Sequence, residues 1–215
     1  MRLPPLQNLA PPPTPALVIA LCTIVELVLV AADLGLLGTP AWRANAYSNG
    51  AFWVGLLGNW RPNYAAQPVV MFLSYAFLHA GWKHLLGNML VLWLIGRGVC
   101  GRAGQGGFVL IYLAGIIGGG AGFAILGTSP RPMVGASGAL FGLVGAVLAW
   151  EAIERRRLGR ALWPVWRDVA GLALLNLAFW IALDGVLAWE THLGGFVAGA
   201  AAGAAVRRRG LARAA

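Results

Sequence analysis

The octapeptide GASGALFG, residues 135–142, places Ser137 among small residues at the point where a loop becomes a hydrophobic helix. Glycine, alanine and serine are enriched wherever membrane helices pack closely, so the composition of this stretch indicates tight helix contact. A serine in such a position can also be a nucleophile, provided that a base lies within hydrogen-bonding distance. The choice between these interpretations depends on what the rest of the chain places beside Ser137.

The composition indicates whether the chain folds in water or in a membrane. The 215 residues are 59% hydrophobic and only 11% charged, whereas soluble domains carry about 25% charged residues. We therefore predict an all-α polytopic membrane protein. The net charge of +9 does not indicate a nucleic-acid partner, because the cations form short clusters between apolar runs. Cys22 and Cys100 show no metal or redox spacing, and we expect no metal and no cofactor.

Six apolar stretches approach the roughly 20 residues that a helix needs to cross a hydrocarbon core. They are residues 16–37, 82–98, 106–126, 137–153, 169–188 and 191–206. We predict a bundle of six transmembrane helices within a single domain, residues 16–206. A proline-rich tail, residues 1–15, is expected to be disordered, and residues 207–215 form a short basic tail.

Residues 38–78, between the first two predicted spans, do not fit a single membrane crossing. Loop-forming asparagine, glycine and proline alternate there with aromatic residues that include Trp42, Phe52, Trp53 and Trp60. Indole rings prefer the boundary between membrane and water, so we predict an interfacial loop. In the span before it, Glu26 and Asp33 are seven residues apart and share a helix face. We expect both to face the bundle interior in a structural role.

The distribution of cations predicts the orientation of the spans. Six crossings place both termini on one side of the membrane, and twelve of the 16 lysines and arginines fall on that side. The four on the other side are Arg43, Arg61, Lys83 and Arg131. Because cytoplasmic segments carry the excess of positive charge, we predict cytoplasmic termini, in a bacterial inner membrane.

Three polar residues far apart in the sequence are predicted to lie at one depth. His84, Ser137 and His192 each fall within about the first turn of the second, fourth or sixth span. All three of these spans begin on the external side in the predicted topology. Composition does not require this arrangement, so it favours a site that opens to the external face.

Two histidines are candidate bases for Ser137, because histidine has an unperturbed pKa near 6.5. His192 begins a helix whose small face can pack against the helix of Ser137 and so bring the two side chains together. The small residues that support this packing are Gly195 and Gly199 on one side, and Gly135, Gly138 and Gly142 on the other. His84 instead has Asn88 one turn below it, and both can donate hydrogen bonds towards a developing oxyanion.

Three motifs resemble those of the rhomboid intramembrane serine proteases. They are YAFLHAGWKHLLGN at residues 75–88, GASG at residues 135–138, and HLGGF at residues 192–196, which is followed by Gly199. Their order, spacing and helix positions all agree with that family, and the resemblance runs from about Tyr75 to Gly199, which is most of the chain. The resemblance implies a six-helix membrane bundle with proteolytic activity.

The resemblance also implies the roles of individual residues. It implies a dyad of Ser137 and His192 without an acidic third member. It implies an oxyanion hole formed by the Ser137 backbone N–H with the side chains of His84 and Asn88, and it sets Phe141 against the ring of the dyad histidine. The implied substrates are transmembrane helices of other proteins in the lipid bilayer, cleaved near their outer ends after small residues. A further family histidine corresponds to His79, with a structural role.

Some positions depart from the family pattern. Many members have Trp-Arg about eight residues before the first histidine, where this chain has Val70 and Met71. An acidic residue common near the inner end of helix two is replaced around Cys100. Both positions concern the scaffold more than the chemistry. Glu190 is less usual before the dyad histidine, and it lies close enough to His192 in the sequence to influence it.

Other classes of protein are less consistent with the sequence. A catalytically silent relative that binds and escorts membrane helices is expected to lack Ser137 or His192, and both are present. A transporter with a proton path through Glu26, Asp33 and Asp184 is disfavoured, because the sequence shows no inverted repeat or broken helix pair. The His-Glu-x-x-His motif of zinc proteases does not occur. The aspartates likewise lie in no recognisable aspartyl protease motif.

Overall fold

The computed structural model describes residues 11–206, which fold into helices joined by short connections. The α-helices are α1 (Pro13–Asp33), α2 (Ala41–Gly50), α3 (Gln67–Ser74), α4 (Trp82–Leu126), α5 (Ser137–Arg157), α6 (Trp163–Ala182) and α7 (Trp189–Ala205). Two 3₁₀ turns, Val54–Leu57 and Tyr75–Phe77, lie between α2 and α4. The predicted all-α fold is confirmed. The basic tail and residues 1–10 of the proline-rich tail lie outside the described residues.

Within residues 11–206, four helices are long and apolar enough to cross a membrane, namely α1, α4, α5 and α6. Their length and composition agree with the prediction of a membrane protein. The number differs from the six predicted spans for two reasons. The 45-residue α4 contains two of the predicted spans, and α7 has only 17 residues.

The chain reverses direction within α4. Gly104 has φ 76° and ψ 177°, a conformation open to glycine because it has no Cβ. Phe108 lies 3.5 Å from the position of a Cβ on Gly96, although twelve residues of straight helix would separate two positions by about 18 Å. α4 therefore consists of two antiparallel segments. The connection expected between them, residues 99–105, is helical on both sides of the break.

Both ends of the first helix differ from the predicted range of residues 16–37. α1 begins at Pro13, because proline is tolerated in the first turn, where the missing N–H would have no partner. The assignment of residues 13–15 to a disordered tail was therefore wrong. The helix ends at Asp33, and Gly35 then adopts a positive φ of 71° that turns the chain away from the helix axis.

The segment predicted as an interfacial loop, residues 38–78, contains α2 and α3 and is anchored by a buried ring. Phe52 is fully buried and exchanges two backbone hydrogen bonds of 2.9 Å with Met133. Its ring makes edge contacts with three others, those of Phe72, Tyr75 and Phe123. Trp42 and Trp60, by contrast, are exposed. Phe52 thus ties this segment to the bundle instead of lying at its surface.

Arg43 of α2 joins the same segment to α1. Its guanidinium donates to both carboxylate oxygens of Glu26, at 3.0 and 3.2 Å, and to Asp33 at 2.6 Å. It also donates to the carbonyl of His79, which accepts a second bond from the Tyr47 hydroxyl at 2.6 Å. Glu26 is buried, but Asp33 is exposed because it is the last residue of α1. The expectation that both acids face the interior therefore holds for Glu26 alone.

The basic stretch between the fourth and fifth predicted spans is mostly helical. Residues 155–157 form the last turn of α5, where positive charge is favourable beside the free carbonyl groups. α6 begins at Trp163, well before the predicted residue 169. It ends at Ala182, because Asp184 and Gly185 both have a positive φ, which a helix cannot continue through.

Candidate active site

Ser137 and His192 lie at the starts of two neighbouring helices. Ser137 is the first residue of α5, and His192 is the fourth residue of α7. The serine Oγ lies 2.9 Å from His192 Nε2, which is hydrogen-bonding distance. His192 is only 6% exposed, so little water competes for this contact. The pair has the geometry in which an imidazole can take the proton of a hydroxyl group.

Backbone contact between α5 and α7 sets the distance between the two side chains. A Cβ on Gly195 would overlap the carbonyl oxygen of Gly138, and a Cβ on Gly199 would overlap that of Gly142. We call these four residues the glycine seam. Since a larger residue at Gly195 or Gly199 would force the helices apart, the seam is what allows Ser137 to reach the histidine on the opposite helix.

Phe141 orients the ring of His192. It lies one turn after Ser137 on α5, and its ring is stacked on the imidazole with a centroid distance of 4.2 Å and an interplanar angle of 6°. Ring pairs of this kind contribute about 0.5–1.5 kcal/mol beyond the area that they bury. The plane of the imidazole is thereby restricted, and its two nitrogens point in set directions.

The second ring nitrogen of His192 has a partner that the sequence analysis did not select. Nδ1 lies 2.9 Å from Oδ1 of Asn176, which is on α6. The sequence did hold a signal, because Asn176 is the one residue with an amide, hydroxyl or charged side chain in residues 169–183. Polar residues inside membrane helices often mark functional sites. The ring nitrogens thus contact Ser137 and Asn176 and not Glu190, which was expected to influence the histidine.

Two hydrogen-bond donors lie beside Gly135, two residues before the serine. A Cβ at Gly135 would lie 2.9 Å from His84 Nε2 and 3.5 Å from Asn88 Nδ2. The Nδ1 atom of His84 accepts a bond from the Ala80 N–H at 3.3 Å, which leaves the proton on Nε2. Nδ2 of Asn88 is buried and has no hydrogen-bond partner among the residues described. The site therefore contains N–H groups that are free to bind an oxygen atom.

His79 lies behind these donors. It is fully buried, and its ring meets that of His84 edge-on at a centroid distance of 5.3 Å. Burial, with a further contribution from the neighbouring His84, lowers the pKa of His79 to about 4. The ring is therefore neutral at physiological pH, and its position is that of a packing partner for His84.

A cavity of about 520 Å³ lies beside His192, between α6 and the paired helices α5 and α7. Its wall includes Phe141, His192 and Asn176, and the other lining residues are apolar or aromatic. Over the described part of the chain, no cluster of histidine, cysteine, aspartate or glutamate side chains could hold a metal ion.

Comparison with known families gives a clear assignment. Residues 66–209, which include α4 to α7, match the family model described as the Rhomboid domain. The chain belongs to the rhomboid family. The resemblance inferred from the three motifs is thereby confirmed, and a rhomboid family member with apolar helices of this length is an integral membrane protein.

Several curated rhomboid relatives match this chain over part of their length. Rhomboid protease GluP of Bacillus subtilis is 39% identical over 135 residues, which are 62% of this chain and 25% of that protein. RHOMBOID-like protein 1 of Arabidopsis thaliana is 39% identical over 131 residues, 57% of this chain and 31% of that protein. Rhomboid-related protein 3 of Homo sapiens is 34% identical over 90 residues, which are 42% of this chain and 22% of that protein. The chain thus spans less than a third of the length of each of these relatives.

Proposed function

We propose that this protein is an intramembrane serine endopeptidase in which Ser137 is the nucleophile and His192 is the general base. The observation that carries the proposal is the 2.9 Å contact between Ser137 Oγ and His192 Nε2. Membership of the rhomboid family, and similarity to a protein named as a rhomboid protease, support it. A hydroxyl group hydrogen-bonded to an imidazole that can take its proton is the arrangement that a serine nucleophile needs.

The proposed reaction is an acyl transfer in two stages. Ser137 Oγ attacks the carbonyl carbon of the scissile bond while His192 Nε2 takes the hydroxyl proton, which gives a tetrahedral oxyanion. Collapse of this intermediate breaks the C–N bond, and the imidazolium returns the proton to the leaving amine. Water then attacks the acyl-enzyme, again with His192 as the base, and the serine hydroxyl is restored.

Three N–H groups are suited to the negative charge of the oxyanion. They are the side chains of His84 and Asn88, which lie beside Gly135, and the backbone N–H of Ser137. The first N–H groups of a helix have no partner within the helix, and Ser137 is the first residue of α5. We assign the oxyanion hole to these donors. Removal of one such donor typically lowers kcat by a factor of about 10²–10³.

We further propose six membrane crossings with both termini in the cytoplasm. The two antiparallel segments of α4, residues 82–103 and 105–126, are each long enough for a span of roughly 20 residues, and α7 would cross beside α5 along the glycine seam. Most of the lysines and arginines fall on the side of the termini, opposite to Ser137 and His192. Because cytoplasmic segments carry the excess of positive charge, this distribution supports the orientation. The dyad would then open to the external side of a bacterial inner membrane.

The proposed substrates are transmembrane helices of other membrane proteins, cut near their outer ends after small residues. In a helix, the backbone carbonyl groups accept hydrogen bonds within the helix and are not accessible to a nucleophile. The substrate must therefore unwind near the site, and only locally, because unpaired backbone groups are costly in lipid. Glycine close to the scissile bond would ease this unwinding, because it lowers helix stability by about 1 kcal/mol relative to alanine.

Covalent labelling by a fluorophosphonate probe tests the proposal. Wild-type protein in detergent should be labelled, Ser137→Ala should not, and Ser129→Ala, at an exposed serine outside the site, should be labelled like wild type. His192→Ala should lose cleavage of a model transmembrane substrate while its thermal unfolding is retained. Labelling of Ser137→Ala would refute the assignment of Ser137 as the nucleophile. Binding of membrane helices without labelling or cleavage by the wild type would instead favour the catalytically silent alternative.

A further inference from the structure

Asn176 stands out because it is the one polar residue in the part of α6 that follows Asp168, on a helix that is largely exposed. α6 contacts the rest of the protein along one stripe at helical spacing, formed by Val165, Val169, Leu172 and Asn176. An amide in the hydrocarbon layer is costly unless it finds a partner, so polar groups there normally face the bundle interior and are paired. The partner of Asn176 is the imidazole of His192, at 2.9 Å.

The identity of the contacting atoms determines where the histidine carries its proton. The amide Oδ1 of Asn176 can only accept a hydrogen bond, so the His192 Nδ1 opposite it must be the donor. A neutral imidazole with its proton on Nδ1 has a free lone pair on Nε2, the atom that lies 2.9 Å from Ser137 Oγ. The opposite tautomer would present an N–H to the serine and could not take its proton.

We propose that Asn176 is a positioning residue that holds His192 in the tautomer with the proton on Nδ1, and so keeps Nε2 available as the base for Ser137. The inference rests on the proposed serine protease function and deepens it. The same hydrogen bond remains when Nε2 becomes protonated, so the amide oxygen also stabilises the imidazolium. Asn176 thus supplies, without a charge, the orienting contact that an acidic residue supplies in a triad.

Two substitutions separate this role from packing. Asn176→Leu keeps the branch at Cγ but removes the acceptor, whereas Asn176→Asp keeps an acceptor oxygen at the same position. For Asn176→Leu we expect kcat on a model transmembrane substrate to fall about 10–100-fold with little change in KM, the usual cost of removing an orienting partner. Asn176→Asp should recover most of that loss. The matched control is Leu174→Ala, on the same helix but 67% exposed and away from the cavity, which should behave as wild type.

A spectroscopic measurement tests the tautomer without relying on catalysis. In protein labelled with ¹⁵N-histidine, the signals that vanish in His192→Ala belong to that residue, and their nitrogen shifts report which nitrogen carries the proton. We expect a protonated Nδ1 in wild type and a shift towards protonated Nε2 in Asn176→Leu. Protonated Nε2 in the wild type, or a signal that Asn176→Leu leaves unchanged, would overturn the inference.

Fluorophosphonate labelling and the nitrogen shifts together distinguish failure of the inference from failure of the proposed function. If wild type is labelled by the fluorophosphonate and Asn176→Leu reacts equally fast, the protease stands and the role of Asn176 is refuted. If wild type is not labelled and does not cleave, the proposed function fails, and the nitrogen shifts still decide whether Asn176 sets the tautomer. Should Asn176→Leu not fold, the wild-type shifts and the kcat of Asn176→Asp decide.

Discussion

Replacing Gly195 by alanine should disable the proposed dyad of Ser137 and His192 without changing either side chain. The new Cβ would overlap the carbonyl oxygen of Gly138 and lie 2.8 Å from its carbonyl carbon. Carbon atoms in contact normally lie about 3.5–4.0 Å apart, so α5 and α7 must separate by about 1 Å. The obstacle is backbone, which cannot rotate aside as a side chain can. The 2.9 Å contact between Ser137 and His192 would then lengthen beyond hydrogen-bonding distance.

The expected loss in rate is about 10²-fold, the usual effect of misplacing reacting groups by 1 Å. Overpacking costs about 1–3 kcal/mol, but the preference of helices for alanine over glycine offsets about 0.5–1 kcal/mol of this. Gly195→Ala should therefore still fold, with reduced thermal stability. The rate of fluorophosphonate labelling and the cleavage of a model substrate measure the loss in rate. Thermal unfolding in detergent measures the loss of stability.

The matched control is Gly171→Ala on α6, because a Cβ at that position meets no atom within 4 Å. This variant should keep the wild-type labelling rate and be at least as stable as wild type. If Gly195→Ala folds and labels as fast as wild type, the glycine seam does not set the dyad distance, and the reasoning is refuted. Equal loss of activity in both variants would show a general effect of alanine in these helices.

Two further variants test the donors and the anchor of α2. Asn88→Ala removes the buried, unpartnered Nδ2 and should lower kcat by about 10²–10³ with a small change in KM; wild-type kcat would exclude Asn88 from the oxyanion hole. Arg43→Ala leaves the carboxylate of Glu26, which is 1% exposed, without its partner and should cost about 3 kcal/mol in unfolding free energy. Adding Glu26→Gln should recover much of this loss, and equal stability of the single and double variants would argue against the ion pair.

Features that depend on local pattern could be predicted from the sequence. The start of α5 at Ser137 follows from the change from loop residues to an apolar run, and glycines at i, i+4 spacing indicate a face that another helix can approach. The depth of His192 follows in turn from its position near the start of a span. The all-α class needed only composition, because few other structures satisfy backbone hydrogen bonds in lipid.

Features that depend on tertiary contact could not be predicted in this way. The sequence predicted a reversal between the second and third spans, but not that it would occur at the single residue Gly104 with helix on both sides. The partner of Glu26 is seventeen residues away on another helix, and spacing alone does not select Arg43 among the cations on that side. Asn176 was visible as a lone amide, but its contact with His192 requires knowing how α6 lies against α7.

The glycine seam also determines how the site responds to bilayer thickness. Because α5 and α7 touch backbone to backbone, a change in thickness that tilts one helix must tilt the other with it, and the distance from Ser137 to His192 is preserved. α6 has no such seam and lies largely exposed, so it can tilt independently of the pair. In thicker or thinner lipid, we therefore expect the hydrogen bond between Asn176 and His192 to change before the one between Ser137 and His192.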